Sequence, residues 1–274
     1  MIEPAITAFY IRHSEDSRLQ IGLGPLEFER NKLLIGRYLQ TNVLTVADVG
    51  GGTGHYAAWL CGLGHRVTLI DPVPQHIEQA KRKAKRNGNG FACLLGEARR
   101  LPLENASVDI VILHGPLYHL QERSDRLLAL KEARRVLKPG GVMLGFAITH
   151  AASAVTALHS SMIHQPQIFS MCRSELLTGQ HEPPDGMPGI LPHAYFHRPR
   201  MLVDEVDEAG FTVTGLYAVE GLAWMDGQFF QSWADPTKRT RLLELVGLTE
   251  SDRELLYFSP HMMVSASVNL GSSV

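Results

Sequence analysis

A glycine-rich loop is the part of the sequence whose residue types and spacing most clearly suggest chemistry. Residues 48–57 read DVGGGTGHYA and join a run of aliphatic residues to a helical pattern. Gly50, Gly52 and Gly54 lack Cβ atoms, so the backbone can turn tightly and a ligand can approach it. The helix that follows directs its N-terminal N–H groups towards that ligand. By itself the loop fits a tight turn without a ligand as well as the interpretation that it forms a nucleotide site.

An acidic residue about twenty positions further on supports this interpretation. Asp71 ends the predicted strand RVTLID, where its carboxylate could accept hydrogen bonds from ribose hydroxyls. The glycines do not identify the nucleotide, because Gly52-x-Gly54-x-x-Ala57 also fits the dinucleotide fingerprint. The loop alone leaves a nicotinamide site and an adenosyl site open.

Short apolar runs alternate with helical patterns between Val43 and Ile148. The predicted strands are VLTVADVG, RVTLID, FACLLGEA, SVDIVILHG and VMLGFAI, and the helices between them include HYAAWLCGLG, PQHIEQAKRKAKRNG and ERSDRLLALKEARRVLKPGG. Such runs are typical of a parallel sheet that is covered on both faces. Right-handed crossovers then give a doubly wound, Rossmann-like α/β fold. Two further predicted strands, FTVTGLYAVEG and HMMVSASVNL, complete the chain.

Motifs downstream of the loop distinguish the two nucleotide sites. Asp48-Val-Gly-Gly-Gly-Thr-Gly54 resembles the first motif of class I S-adenosylmethionine-dependent methyltransferases, an acidic residue followed by x-G-x-G-x-G. Asp71-Pro72 resembles the second motif. Residues 96–120, GEARRLPLENASVDIVILHGPLYHL, resemble the third and fourth motifs of the small-molecule, ubiquinone-biosynthesis-like branch. LKPGG, residues 137–141, resembles the turn of that branch into strand five. The motifs follow the family order and spacing.

The resemblance implies a seven-stranded sheet whose last strand is antiparallel, with S-adenosylmethionine lying across the carboxyl ends of the strands and S-adenosylhomocysteine as its product. The glycine loop would face the methionine portion, Asp71 the ribose, and Glu97 the adenine amino group, although many relatives have Asp at that position. The full set of implied cofactor-binding residues is Asp48, Gly50, Gly52, Gly54, Asp71, Pro72, Glu97, Ala98 and His114.

The residues that follow the fourth predicted strand are the candidates for catalysis. By the same resemblance, this segment would line the cleft near the reactive methyl group. His114 and His119, on either side of Tyr118, are the best candidates for a base, because histidine titrates near neutral pH. Structural packing of Tyr118 and His119 beneath the edge of the sheet is the competing interpretation. A base is useful only if the acceptor is a hydroxyl or a protonated amine.

The predicted domain organisation is a leader and one methyltransferase domain with two inserts. Residues 1–42 would form a helical leader over the active site, and residues 43–274 the domain. The inserts, at about residues 150–197 and 222–257, interrupt the α/β pattern. Segments of this length near strand ends usually build a lid or a pocket, so we expect a cap over the methyl group.

Composition limits the partners. The 26 basic and 28 acidic residues give a net charge of −2, which argues against nucleic acid as a partner. Three widely spaced cysteines support neither a disulfide framework nor a zinc site, so we predict no metal and a cytoplasmic location. No stretch approaches the length of a membrane span. The sequence does not predict the oligomeric state.

A small-molecule methyltransferase is therefore the function that we predict. Three alternatives stay open. The first is an RNA or protein methyltransferase, for which the charge run KRKAKR at residues 81–86 is the main argument. The second is a non-catalytic, cofactor-binding partner subunit. The third is a nicotinamide dehydrogenase, which residues 96–141 disfavour.

Overall fold

The computed structural model of the protein describes residues 15–39, 42–86, 90–187 and 190–269. The first fourteen residues of the predicted leader, and the predicted helix end at Asn87-Gly88, lie outside the described residues. Within the described ranges the strands are β1 Thr45–Val49, β2 Arg66–Asp71, β3 Ala92–Leu95, β4 Val108–Leu113, β5 Leu137–Ile148, β6 Gln180–His181, β7 Ala194–Tyr195, β8 Thr212–Ala218 and β9 His261–Ser267.

The α-helices of the same described ranges are α1 Glu15–Arg18, α2 Gly24–Gly36, α3 His55–Gly62, α4 Pro74–Arg86, α5 Pro116–His119, α6 Arg123–Val136, α7 Ala152–His159, α8 Pro166–Thr178, α9 Pro199–Glu208, α10 Phe229–Ala234 and α11 Pro236–Thr249. Short 3₁₀ helices cover Met162–His164, Ala223–Met225 and Leu256–Phe258. None of the helices in these ranges has the length and apolar character that crossing a membrane requires.

Seven strands form one sheet in the order β3-β2-β1-β4-β5-β9-β8. β1 to β5 pair in parallel, and β9 runs antiparallel to both β5 and β8. The predicted doubly wound, Rossmann-like sheet with an antiparallel last strand is therefore confirmed. The LKPGG segment, expected as a turn, is the first part of β5, and the β4–β5 register shifts between Val108 and Ile110 to accommodate it.

Two hydrophobic cores cover the two faces of the sheet. Neighbouring residues of β1 point to opposite faces, so Val46 packs with α2, α3 and α4, whereas Ala47 packs with α6 and α9. Neighbouring residues of β4 and β5 also divide between the two cores. Burial on both faces explains why these strands read as continuous apolar runs and not as alternating ones. The cores fix the carboxyl ends of β1, β2 and β4 side by side.

The two predicted inserts are mainly helical and touch each other, since Val155 of the first packs against the cluster that contains Trp224 of the second. The first contains α7, α8 and the small β6–β7 sheet, and the second contains α10 and α11. The second insert packs on α2, because Leu26 shares a buried cluster with Trp224, Phe229 and Val246. Its predicted role as a cap over the methyl group stays a prediction.

A buried ion pair connects α6 to α9. Nε and Nη2 of Arg126 donate to the two carboxylate oxygens of Glu205 at 2.9 and 2.7 Å, and each side chain is 2% exposed. Nη1 of Arg126 donates to the carbonyl oxygens of Leu120 and Gln121. Burial raises the pKa of Glu205, but His197 and Arg126 outweigh burial and lower the pKa to about 2.

We expect Arg126→Ala to lower the free energy of unfolding by about 3–5 kcal/mol, because Glu205 would stay buried without its main charge partner. Urea denaturation measures this loss. The matched control is Arg123→Ala on the same helix, whose guanidinium is half-exposed, pairs with Glu208 and comes no closer to Glu205 than 3.8 Å. The control should lower stability far less than Arg126→Ala, because an exposed ion pair is screened by solvent. Equal losses in the two variants would contradict a dominant role for the buried pair.

Candidate functional site

A cavity of about 480 Å³ opens at the carboxyl ends of β1, β2 and β4. Its volume lies in the range of about 300–1,000 Å³ that small-molecule sites occupy. The glycine loop and the segments after β2, β3 and β4 line it, together with residues of α1, α2 and the start of β9. Among the described residues of the inserts at 150–197 and 222–257, none lines this cavity.

The glycine loop takes left-handed backbone conformations that favour glycine. The φ angles of Gly50, Gly52 and Gly54 are +75°, +56° and +85°. A Cβ atom on Gly50 would lie 1.8 Å from the carbonyl oxygen of His114, and the Gly50 N–H donates to the Ile70 carbonyl at 2.7 Å. The loop is therefore held against the ends of both β2 and β4. Gly50 and Gly52 line the cavity, whereas Gly54 precedes α3 and packs against Phe91.

Asp71 lines the cavity at the end of β2 and is itself hydrogen-bonded. Its Oδ2 accepts from the Gly52 N–H at 2.9 Å. Its Oδ1 accepts from the Val73 N–H at 2.9 Å and lies 3.1 Å from Nδ1 of His76. Three of the roughly four acceptor positions of the carboxylate are therefore occupied within the protein. Asp71 shapes the glycine loop and keeps limited capacity for a ligand.

Pro72, Glu97 and Ala98 continue this wall of the cavity. Oε2 of Glu97 accepts hydrogen bonds from Nε and Nη2 of Arg99 at 2.9 and 2.5 Å, and Nη1 of Arg99 donates to Asp125 at 2.6 Å. The Glu97 carboxylate is thus fixed by an arginine that the sequence motifs did not single out. Glu97 and its neighbours Gly96 and Ala98 line the cavity together with Asp71.

Asp48 is placed behind the cavity and does not line it. The side chain is fully buried, and its Oδ1 lies 3.1 Å from Nδ1 of His114. Its other oxygen, Oδ2, has no hydrogen-bond partner among the described residues, and a Cβ atom on Gly51 would lie 2.6 Å from it. The acidic residue of the first motif therefore contacts the histidine after β4 directly.

His114 lines the cavity and is held between two aromatic rings. Its ring stacks on Tyr56 with centroids 4.3 Å apart and on Phe146 with centroids 4.5 Å apart. Together with Asp48 these contacts fix the orientation of the imidazole. Nε2 of His114 is buried and has no hydrogen-bond partner among the described residues.

Tyr118 and His119 also line the cavity, from the short helix α5. Their rings lie 4.6 Å apart. Burial lowers the pKa of His119 to about 4, so its imidazole is neutral at physiological pH. The structure thus brings all three predicted catalytic residues to one cavity, but in different environments.

The lining residues from the N-terminal helices and the start of β9 include polar ones that the sequence analysis did not identify. Arg18 donates to both carboxylate oxygens of Glu27 at 2.7 and 3.1 Å. His261, at the start of β9, lies 2.7 Å from Glu220 through Nδ1. Burial lowers the pKa of His261, but Glu220 and Glu27 outweigh it and raise the pKa to about 9. The sequence signal that could have indicated them is the presence of polar residues, such as Glu27 and Asn31, within the helical pattern LEFERNKLL.

Glu27, Glu220 and His261 place oxygen and nitrogen atoms within 4.8 Å of one another, a separation that could suit a metal ion. His261 carries a proton at neutral pH, and metal binding would have to displace it. Both carboxylates already accept hydrogen bonds, from Arg18, Ser259 and His261. We therefore describe this cluster as a hydrogen-bonded charge network.

Residues 47–145 match the family model described as a methyltransferase domain. They include the glycine loop, Asp71, Glu97 and His114, and the sheet has the order and the antiparallel last strand expected for this fold. The chain contains a class I methyltransferase domain. The cofactor of this domain is S-adenosylmethionine.

Curated methyltransferases are similar over this domain. The ubiquinone/menaquinone biosynthesis C-methyltransferase UbiE of Rubrivivax gelatinosus is 35% identical over 102 residues, which are 36% of this chain and 37% of UbiE. The ubiquinone biosynthesis O-methyltransferase of Methylocella silvestris is 34% identical over 100 residues, 36% of this chain and 38% of the relative. The matches span less than half the length of these relatives.

Solved structures share the fold across most of the chain. A structure described as a methyltransferase dependent on S-adenosylmethionine, from Methanosarcina mazei, superposes with a TM-score of 0.60 and 19% identity, covering 86% of this chain and 97% of that one. A second one, from Mesorhizobium loti, has a TM-score of 0.59 and 16% identity and covers 88% and 99%. The methyltransferase fold thus includes β8 and β9, which lie outside the matched domain.

We expect His261 to make stability depend on pH on the alkaline side. Its pKa is raised from 6.5 to about 9, so its contribution is fully present below pH 6.5 and is lost as pH rises through about 9. The stability difference between the wild type and His261→Gln should shrink by at most about 3 kcal/mol over that window. Urea denaturation across this pH range measures it.

Glu220→Gln is the companion variant, because it removes the nearest carboxylate and keeps the size of the side chain. It should abolish most of the pH dependence. Stability curves of the wild type and His261→Gln that run parallel between pH 6.5 and 9 would contradict the assignment of a proton to His261.

Proposed function

We propose that this protein transfers a methyl group from S-adenosylmethionine to a small-molecule acceptor bound in the same cavity. The observation that carries the proposal is that two sets of residues line one cavity. We call the glycine loop, Asp71 and Glu97 its first side, and α2 and the start of β9 its second side. The cavity can therefore hold a nucleotide-like cofactor and a second molecule next to each other.

The residues of the first side fit the cofactor. Gly50, Gly51 and Gly52 present backbone without Cβ atoms to the cavity. We assign the remaining acceptor capacity of Asp71 to a ribose hydroxyl, and Glu97 with the Ala98 N–H to the adenine edge. Pro72 would flank the adenosine. Asp48 and Gly54 would support this side from behind, through His114 and through the start of α3.

The second side fits a small acceptor better than a macromolecule. Leu19, Glu27 and Asn31 of the N-terminal segment line it, and we propose that α1 and α2 belong to the leader that residues 1–42 form over the active site. A leader in this position would favour acceptors of metabolite size. The inserts at 150–197 and 222–257 would complete a cap around the entrance. We further propose a cytoplasmic location, which the three free cysteines support.

The chemistry follows from alignment and exclusion of water. When bound, S-adenosylmethionine supplies a methyl group on a positively charged sulfonium, which is already an activated leaving group. The protein has to align the acceptor atom with that methyl group in line and at near contact. Phe146, Tyr56 and Leu19 provide apolar walls, and dispersal of positive charge during the transfer is compatible with such surroundings.

Calorimetric titration with S-adenosylmethionine, S-adenosylhomocysteine and NAD tests the proposed cofactor. We expect binding of the adenosyl pair alone. Asp71→Ala should weaken that binding by about 1–3 kcal/mol, because buried polar partners would be left unpaired. Asp109→Ala is the matched control, since Asp109 also accepts a backbone N–H and pairs with Lys138 but lies outside the cavity. The control should bind normally.

Failure of both adenosyl compounds to bind, or a preference for NAD, would refute the cofactor assignment. The proposed acceptor class is tested by measuring transfer of label from methyl-tritiated S-adenosylmethionine. The acceptors are separate pools of phenols, alcohols, amines, thiols, tRNA and total protein. We expect label in a small-molecule pool. Label in tRNA with binding that weakens steeply in salt would favour an RNA methyltransferase instead. Cofactor binding without transfer to any pool would favour a non-catalytic module.

A further inference from the structure

We propose that Asp48 is a positioning residue that holds His114 as a proton acceptor, and that the methyl acceptor is therefore a hydroxyl or an amine that must lose a proton. This inference rests on the proposed methyl transfer and deepens it. The geometry of the Asp48–His114 pair carries it, together with unpaired polar atoms of residues that line the cavity.

The sheet brings the two residues together. β1 and β4 are parallel neighbours in the register Asp48↔Ile112 and Val49↔Leu113. The His114 N–H also donates to the Val49 carbonyl at 2.8 Å, which extends the pairing by one residue. An acidic residue near the end of β1 and a histidine directly after β4 are consequently in reach of each other.

The hydrogen bond between them selects one form of the imidazole. An ionised carboxylate can only accept, so Nδ1 of His114 carries the hydrogen that Oδ1 of Asp48 receives at 3.1 Å. In the neutral ring the lone pair then resides on Nε2. The stacking of His114 between Tyr56 and Phe146 prevents the ring from rotating out of this arrangement.

Nε2 of His114 has no hydrogen-bond partner among the described residues, although it is buried and its residue lines the cavity. Buried polar atoms are rarely left in this state without a ligand or water to satisfy them. Oδ1 of Asn31 is a second such atom, and Asn31 is 2% exposed and lines the same cavity. Two unpaired acceptors favour a molecule that brings N–H or O–H donors.

Three other titratable groups of this cavity are less suited to accept the proton. Burial lowers the pKa of His119 to about 4, which makes it a weak base. The pKa of His261 is raised to about 9, so at neutral pH it already carries its proton. Burial raises the pKa of Tyr56 well above its ordinary value, so its phenol stays protonated and can only donate or receive a hydrogen bond.

The transfer balances with this assignment. A lone pair of the acceptor oxygen or nitrogen forms the new bond to the methyl carbon as the carbon–sulfur bond breaks, and the electron pair of that bond returns to the sulfur. The proton of the acceptor passes to Nε2 of His114. Asp48 stabilises the resulting imidazolium and stays ionised. The proton then leaves to solvent after product release.

Nitrogen-15 NMR of the full chain labelled at histidine, with S-adenosylhomocysteine bound, tests the pair directly. We expect the neutral His114 ring as the Nδ1–H tautomer, with Nε2 resonating as an unprotonated nitrogen. His114→Gln assigns the signals. Asp48→Asn should change the tautomer, because the amide N–H of asparagine can donate to Nδ1 of His114. The ring can then carry its hydrogen on Nε2 instead. An Nε2–H tautomer in the wild type, or no change in Asp48→Asn, would overturn the proposal.

Kinetics with the acceptor found in the labelled pools provides the second arm. We expect kcat to fall by about 10²–10⁴-fold in His114→Ala, with KM little changed. In Asp48→Asn the fall in kcat should be smaller, again with KM little changed. Affinity for S-adenosylhomocysteine should stay within about twofold in Asp48→Asn, which a direct cofactor contact by Asp48 would not allow.

The outcomes separate the two proposals. Methylation of a thiol or a carbon atom at a rate that His114→Ala leaves unchanged would overturn this inference and leave the methyltransferase assignment intact. Absence of adenosyl binding or of any transfer in the wild type would instead refute the proposed function. In that case the tautomer of His114 still decides whether Asp48 orients the ring.

Discussion

The contact between the glycine loop and the end of β4 is the constraint on which the rest of the site depends. Gly50 approaches the His114 carbonyl so closely that a Cβ atom would lie 1.8 Å from it. The same residue hydrogen-bonds to the end of β2 through Ile70. A side chain at this position would force the strand ends apart. Both the Asp71–Gly52 bond and the Asp48–His114 pair require those ends to stay together.

The buried polar groups of the described residues differ in how completely they are paired. Arg126 and Glu205 are paired with each other and stabilise the wall of the cavity. Asn31 and His114, which line the cavity, keep acceptor atoms without a partner in the described part of the chain, and so does Asp48 behind it. An unpaired buried acceptor costs stability, so its retention at a cavity is better explained by a ligand than by folding.

Local patterns in the sequence predicted the elements that they themselves form. The alternation of strands and helices predicted the sheet, because that pattern depends on neighbours within about thirty residues. Gly50, Gly52 and Asp71 line the cavity, and their contact with a cofactor stays a prediction. The polar residues from α2 and the start of β9 were missed. Glu27 and His261 are 234 positions apart in the sequence, and no periodicity relates α2 to the start of β9. Only tertiary packing brings them together.

A crystal structure with S-adenosylhomocysteine bound would test the central claim most directly. The account predicts the ligand in the 480 Å³ cavity, with ribose within hydrogen-bond distance of Asp71 and the sulfur on the side of His114. Tyr56 and Phe146 should remain stacked on that histidine. A ligand bound elsewhere, or bound in the cavity with its adenine beside His114 and its sulfur beside Glu97, would contradict the division of the cavity into cofactor and acceptor sides.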